Sequence, residues 1–257
     1  ELMKSALDLT GHLGKLVRDK PPLPKWMYRL GWGSGKELPS HQQIVAGIQN
    51  LKQAGFAIEY ALIDEGWQSS QNGMLASFDA NRTRFPKGLK GTIDELHQLG
   101  VHQVGVWHGL MGNRNGIHPE LAKLYDLPKD DQGRYFLGTD LGHTFRFFND
   151  YYTHLKKQGV TYIKAGDQVG ASNFCHAGLD VTQIQKNVQS AIQAASAIQF
   201  NNVISNSECL SNECLFNWPT ARLGHTSHDP DTMRAIRNHL VNGFWLQQLV
   251  NLDFDDW

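Results

Sequence analysis

The chain has no surplus of either charge. Lys and Arg number 24 against 25 Asp and Glu, a net charge of -1. Nucleic-acid binders normally carry a basic excess, so that class loses its support. No run approaches the roughly 18 consecutive apolar residues of a membrane helix, so no membrane partner is expected. Cysteine is scarce: Cys175, Cys209 and Cys214 form an odd set with no CxxC spacing. They make no disulfide framework and point towards a reducing, cytoplasmic setting. No GxGxxG follows a strand, and GxxxxGK[ST] and GxSxG do not occur, so dinucleotide, P-loop and serine-hydrolase chemistry lack their sequence signatures. No internal repeat, low-complexity tract or signal-peptide pattern is seen. Residue 1 is Glu, and the segment 251–257 stops in mid-pattern. The expectation is a catalytic domain excised from a longer chain, with 1–25 a linker or the end of a preceding domain and 26–257 a barrel cut short at its C-terminus.

What is present is a steady alternation of strand and helix patterns. Hydrophobic residues make up 40 % of the chain and aromatics 10 %, enough for a substantial core. A strand over 26–32 is followed by a helix over 40–54, capped by Ser40, with Ile44, Ile48 and Leu51 at helical spacing. Strands follow over 56–63, 101–107, 160–165 and 203–205, and helices over 93–99, 145–158, 181–198 and 231–250. A last strand end lies near 252–255. Short connections between alternating elements imply parallel strands in a covered sheet, an α/β fold. Polar and acidic residues collect after the strands, the end at which a (β/α)8 barrel keeps its active site. A doubly wound open sheet would use the same end.

Four clusters could carry chemistry. In Asp64-Glu65-Gly66-Trp67, two carboxylates suit sugar hydroxyls and an aromatic ring suits the apolar face of a sugar; the alternative is an acidic turn with Trp67 plugging the core. Trp107-His108 ends a strand and either walls a pocket or packs within the core. Lys164 and Asp167 make a ligand-facing pair or a structural one, since a buried Lys needs a partner. The run from His225 to Asp231 offers His225, His228, Asp229 and Asp231 as an acid/base site, a metal site or the N-cap of the following helix. Carboxylates at several strand ends suggest glycoside hydrolysis, which in its retaining form uses one as nucleophile and one as acid/base.

The order of motifs resembles that of glycoside hydrolase family 36 α-galactosidases, especially the branch with raffinose synthases and seed imbibition proteins. The matching stretches are Gly31-Trp32, Ile63-Asp64-Glu65-Gly66-Trp67-Gln68, Arg84 to Lys90, Val106-Trp107-His108, Gly159 to Gln168, Thr220 to Asp229, and Asp253-Phe254-Asp255. The resemblance spans about residues 26–257. It implies a (β/α)8 TIM-type barrel and a retaining mechanism without metal or organic cofactor, acting on a small oligosaccharide or other α-galactoside. It places Asp64, Glu65 and Lys164 on the sugar, Trp67 and Trp107 around it, and Asp229 as the acid/base; His108, His225 and Asp231 are further substrate-binding candidates.

The chain departs from that pattern where chemistry is most sensitive. The family nucleophile falls at position 166, here Gly166, with Asp167 next to it. The readings are an engineered or natural loss of the nucleophile, or a bulge that lets Asp167 replace it. Against the bulge stands the alternation of strand side chains between opposite faces. Glu65 is one methylene longer than the family's second Asp, which shifts a contact and can alter sugar preference. His225 and His228 replace an Arg and an Asp, making the local field pH-dependent. The expectation is an α-galactosidase-like hydrolase, the alternatives being a galactosyl transferase of raffinose-synthase type or an inactive carbohydrate-binding barrel.

Overall fold

A computed structural model describes residues 27–30, 38–167, 174, 180–201, 204–206, 220–221 and 251–252. Helix α1 (His41–Gln53) starts where Ser40 Oγ accepts from the Gln43 N–H, and it buries Ile44, Val45 and Ile48. Asp140 and Asp180 cap α4 (Leu141–Lys157) and α5 (Val181–Phe200) in the same way. Each satisfies backbone donors that the first helical turn leaves without partners. Between these lie α2 (Gly88–Gln98) and the short α3 (Pro119–Lys123). After α1, α2 and α4 the chain reverses at Gly55, Gly100 and Gly159, all with positive φ, which closes the helix ends at little steric cost. α2 and α4 each begin several residues before the expected start. The first turn of α2 buries Leu89 in the core and that of α4 is held by the Asp140 cap, so neither start shows as an apolar run.

The strands form one seven-stranded sheet: β1 (Met27–Leu30), β2 (Tyr60–Ile63), β5 (Gln103–Gly109), β6 (Tyr162–Gly166), β7 (Ile204–Asn206), β8 (Thr220–Ala221) and β9 (Asn251–Leu252). Neighbours in the sheet follow chain order, and every pairing is parallel. A doubly wound sheet would reverse its strand order at a switch point, so that alternative is set aside. A sequential order is the winding of a (β/α) barrel. The described residues give seven of its strands, without the closure of a complete eight-stranded barrel. The expected helix over 231–250 lies outside the described residues, as do the three cysteines.

Two units have no counterpart in the sequence reading, the short helix α3 and a hairpin. Strands β3 (Gln68–Gln71) and β4 (Met74–Ala80) form an antiparallel hairpin inserted after β2. Its turn is Asn72-Gly73, both with positive φ, the backbone that a two-residue hairpin turn requires. The hairpin is tied to the segment after β5: Leu75 N–H donates to the Gly116 carbonyl and His118 N–H to the Leu75 carbonyl.

Parallel register assigns side chains to two faces of the sheet. His108 in β5 meets the rings of Phe148, Tyr151 and Tyr152 on α4, so its face looks towards the helices. Val104 and Val106 share that face by the two-residue period, with their partners Ala61, Ile63 and Ile163. The opposite face carries Leu62, Gly105 and Tyr162 at one level.

Candidate functional site

One level further along that face lies a polar row. Trp107 pairs with Lys164, and Asp64 follows Ile63, the partner of Val106. Asp64, Trp107 and Lys164 therefore stand abreast at the C-terminal ends of β2, β5 and β6. All three are buried, at 1 %, 8 % and 3 % exposure. Lys164 Nζ lies 3.7 Å from Asp64 Oδ2, an ion pair that bridges the strand carrying Trp107. Asp64 Oδ1 accepts from the Glu65 N–H at 2.8 Å. Removing two charges from water costs several kcal/mol per ion unless each meets its opposite. The pair supplies that match, and it leaves an ammonium and a carboxylate side by side beneath the strand ends.

Beneath the row, Tyr162 lies across Gly105. A Cβ at residue 105 would fall 2.2 Å from the Tyr162 ring, so only glycine fits. The Tyr162 hydroxyl donates to the Ala61 carbonyl at 2.8 Å, reaching over β5 to β2. This aromatic floor fixes the level at which Lys164 emerges.

The turn after β2 is held from three sides. The Trp67 indole N–H donates to the Trp107 carbonyl at 2.7 Å, Arg84 donates to the Gly66 carbonyl, and the Asn81 N–H donates to the Trp67 carbonyl. Burial lowers the pKa of the Arg84 guanidinium. Trp67 is fully buried. Its place is behind the turn, where it fixes the backbone of Trp107. Glu65 is gripped by Arg114, whose Nε and Nη2 donate to Oε1 and Oε2 at 3.0 and 3.2 Å. Each acid of the tandem thus has its own cation, which removes the like-charge penalty of adjacent carboxylates.

His108 is not brought to this face. It is fully buried towards α4, with Nδ1 3.0 Å from the Gly109 carbonyl and Nε2 2.7 Å from the Tyr152 hydroxyl. A carbonyl can only accept, so Nδ1 carries the proton and Nε2 accepts from Tyr152. Burial depresses its pKa to about 4. The alternation of strand residues explains the placement: Trp107 takes the mouth face, so its neighbour takes the other.

Gly166 ends β6 and pairs with Gly109, the end of β5. Asp167 follows with φ of 57°. His225, His228, Asp229 and Asp231 lie outside the described residues. Arg114, Tyr162 and Gly105 were not anticipated. Arg114 had one signal, its place in a loop directly after a strand. Tyr162 and Gly105 matter only through their contact across two strands.

No protein-family model matches the chain, and no curated protein matches it. Solved structures do resemble it. The α-galactosidase TtGalA of Thermus thermophilus in complex with stachyose aligns with TM-score 0.67 at 16 % identity, over 95 % of this chain and 56 % of that one. A family 31 α-xylosidase from a soil metagenome, complexed with xylose, aligns with TM-score 0.63 at 15 % identity, over 93 % and 38 %. The family 36 α-galactosidase AgaA of Geobacillus stearothermophilus aligns with TM-score 0.58 at 16 % identity, over 91 % and 34 %. The chain spans between a third and just over half the length of these proteins. At such identities the likeness establishes the fold alone, one that this chain shares with those α-galactosidases and that α-xylosidase.

Proposed function

We propose that this chain is the catalytic barrel of a glycosidase acting on α-galactosides, on the α-galactosidase plan of glycoside hydrolase family 36. The observation that carries the reading is the buried Asp64–Trp107–Lys164 row at the strand ends. A carboxylate accepts from one sugar hydroxyl, an ammonium donates to the next, and an indole face packs against ring C–H groups; together they match a hydroxyl-rich, uncharged ring. Glu65, steadied by Arg114, adds an acceptor at the rim. In this reading Asp229 is the acid/base, and His225 and Asp231 bind the substrate. The substrate is a small oligosaccharide, and no organic cofactor or metal takes part. Transfer of the galactosyl group to a sugar hydroxyl, as in raffinose synthases, would use the same row with a different acceptor.

The test is a panel of aryl α-galactosides, α-xylosides and α-glucosides, with galactose binding followed by calorimetry. Turnover of the galactosides above the others supports the assignment. Asp64→Asn is expected to weaken galactose binding by at least about tenfold, since the amide removes the negative charge and one of the two oxygens that accept from a sugar hydroxyl. Preference for xylosides would move the chain to another substrate class, and unchanged affinity in Asp64→Asn would remove the row from the site.

A further inference from the structure

The end of β6 departs from strand alternation at the residue beside the row. Alternation would send the Asp167 side chain towards the helices, but it applies only to extended backbone. Asp167 has φ of 57°, in the left-handed region that Asp tolerates better than most residues. A Cβ placed on Gly109, which shares the face of Trp107, would lie 3.5 Å from Trp107 Cη2, 3.7 Å from Asp167 Cβ and 3.8 Å from Asp167 Oδ2. The Trp107 indole and the Asp167 carboxylate therefore converge over Gly109, on the face of Asp64 and Lys164. Gly166 pairs with Gly109, so two adjacent strand ends offer no side chain at this level. Asp167 is only partly buried, whereas Asp64 is enclosed with Lys164. The carboxylate and the aromatic ring thus adjoin each other over the end of β5.

We infer that Asp167 supplies the attacking carboxylate, which the left-handed backbone at the end of β6 turns to the face of the row; the inference rests on the glycosidase reading above. An Asp167 carboxylate oxygen donates its electron pair to the anomeric carbon. The glycosidic C–O bond breaks, and its electrons leave on the departing oxygen, which takes a proton from the acid/base. Water then adds to the anomeric carbon, the sugar–Asp167 ester bond breaks, and the carboxylate is regenerated as the acid/base recovers a proton from that water. The sugar is released with its anomeric configuration retained.

Three proteins decide the matter: the chain as it stands, Asp167→Gly and Gly166→Asp, each assayed on an aryl α-galactoside and for galactose binding. Glycine accepts the left-handed backbone of residue 167, so Asp167→Gly keeps the turn. Turnover is expected to fall at least about a thousandfold in Asp167→Gly, with galactose affinity within a few-fold. Added azide is expected to restore turnover and give the β-galactosyl azide, a product that loss of a merely structural residue would not yield. An activated fluorinated α-galactoside is expected to attach covalently to Asp167, read by peptide mass spectrometry. Label on another residue, or Asp167→Gly that stays active, overturns the role of Asp167 and leaves the glycosidase reading standing. The same follows if the unaltered chain binds galactose without turnover and Gly166→Asp turns over. Absence of both binding and turnover in all three proteins overturns the glycosidase reading itself.

Discussion

Asp64 and Lys164 show how burial selects residue chemistry. An uncompensated charge beneath the strand ends would be costly, and each of these two has the opposite charge 3.7 Å away. His108 shows the opposite solution. It is buried without an acid, so it stays neutral and acts as one donor and one acceptor between Gly109 and Tyr152. Its pKa falls from 6.5 to about 4 because burial penalises the imidazolium. The sign follows from proton binding: below pH 6.5 the unfolded chain takes up a proton that the folded chain refuses. The contribution is complete above about pH 6.5 and is lost as the pH falls towards 4. Between pH 7 and pH 5 the loss is about 2 kcal/mol. Urea unfolding at the two pH values, compared with His108→Gln, checks this. The variant should lose distinctly less stability on acidification, and equal losses would place the pH sensitivity elsewhere.

At the scale of elements, β5 divides its labour by alternation. Val104, Val106 and His108 pack towards the helices, while Gly105, Trp107 and Gly109 form the other face. The two glycines serve different needs. Gly105 makes room for the Tyr162 ring, and Gly109 lies where the Trp107 ring and the Asp167 side chain come together. Gly105→Ala forces a methyl to within 2.2 Å of that ring, so Tyr162 must give up its place and its bond to Ala61. The expected cost is about 2–3 kcal/mol, in the range of overpacked cores. Denaturant unfolding measures it, and a midpoint unchanged from the parent would contradict the packing. The hairpin β3–β4 escaped the sequence reading because its first strand, Gln68-Ser69-Ser70-Gln71, has no apolar alternation. Its apolar anchors are Leu75 and Ala80, both buried in the core, and Leu75 is also held through a backbone bond to Gly116.

Across the whole molecule, parallel winding sends the ends of all seven strands the same way, so the segments following β2, β5 and β6 gather at one end of the sheet. The charges gathered there are already matched: Lys164 answers Asp64, and Arg114 answers Glu65. Among the described residues no group of three or more His, Cys, Asp or Glu is arranged to hold a metal ion. A divalent cation at this row would have to displace Lys164 or Arg114. Exhaustive dialysis against EDTA is therefore expected to leave aryl α-galactoside turnover unchanged. A loss that added metal restores would shift the chemistry to the His225–Asp231 run.

The amino-acid order by itself determined the alternating α/β plan, most helices to within a few residues, and the arrival of Asp64, Trp107 and Lys164 at strand ends. These follow from local periodicity, caps and glycine stops, each encoded within a short stretch of chain. The tertiary structure decided the rest. Which face Trp107 and His108 take depends on register with β2 and β6. The place of Trp67 behind the turn depends on a carbonyl of another strand. Arg114 meets Glu65 only because two successive strands end at the same level. Asp167 leaves the alternation through one left-handed backbone angle, which no pattern of apolar and polar residues records, because a single φ leaves the spacing of those residues unchanged.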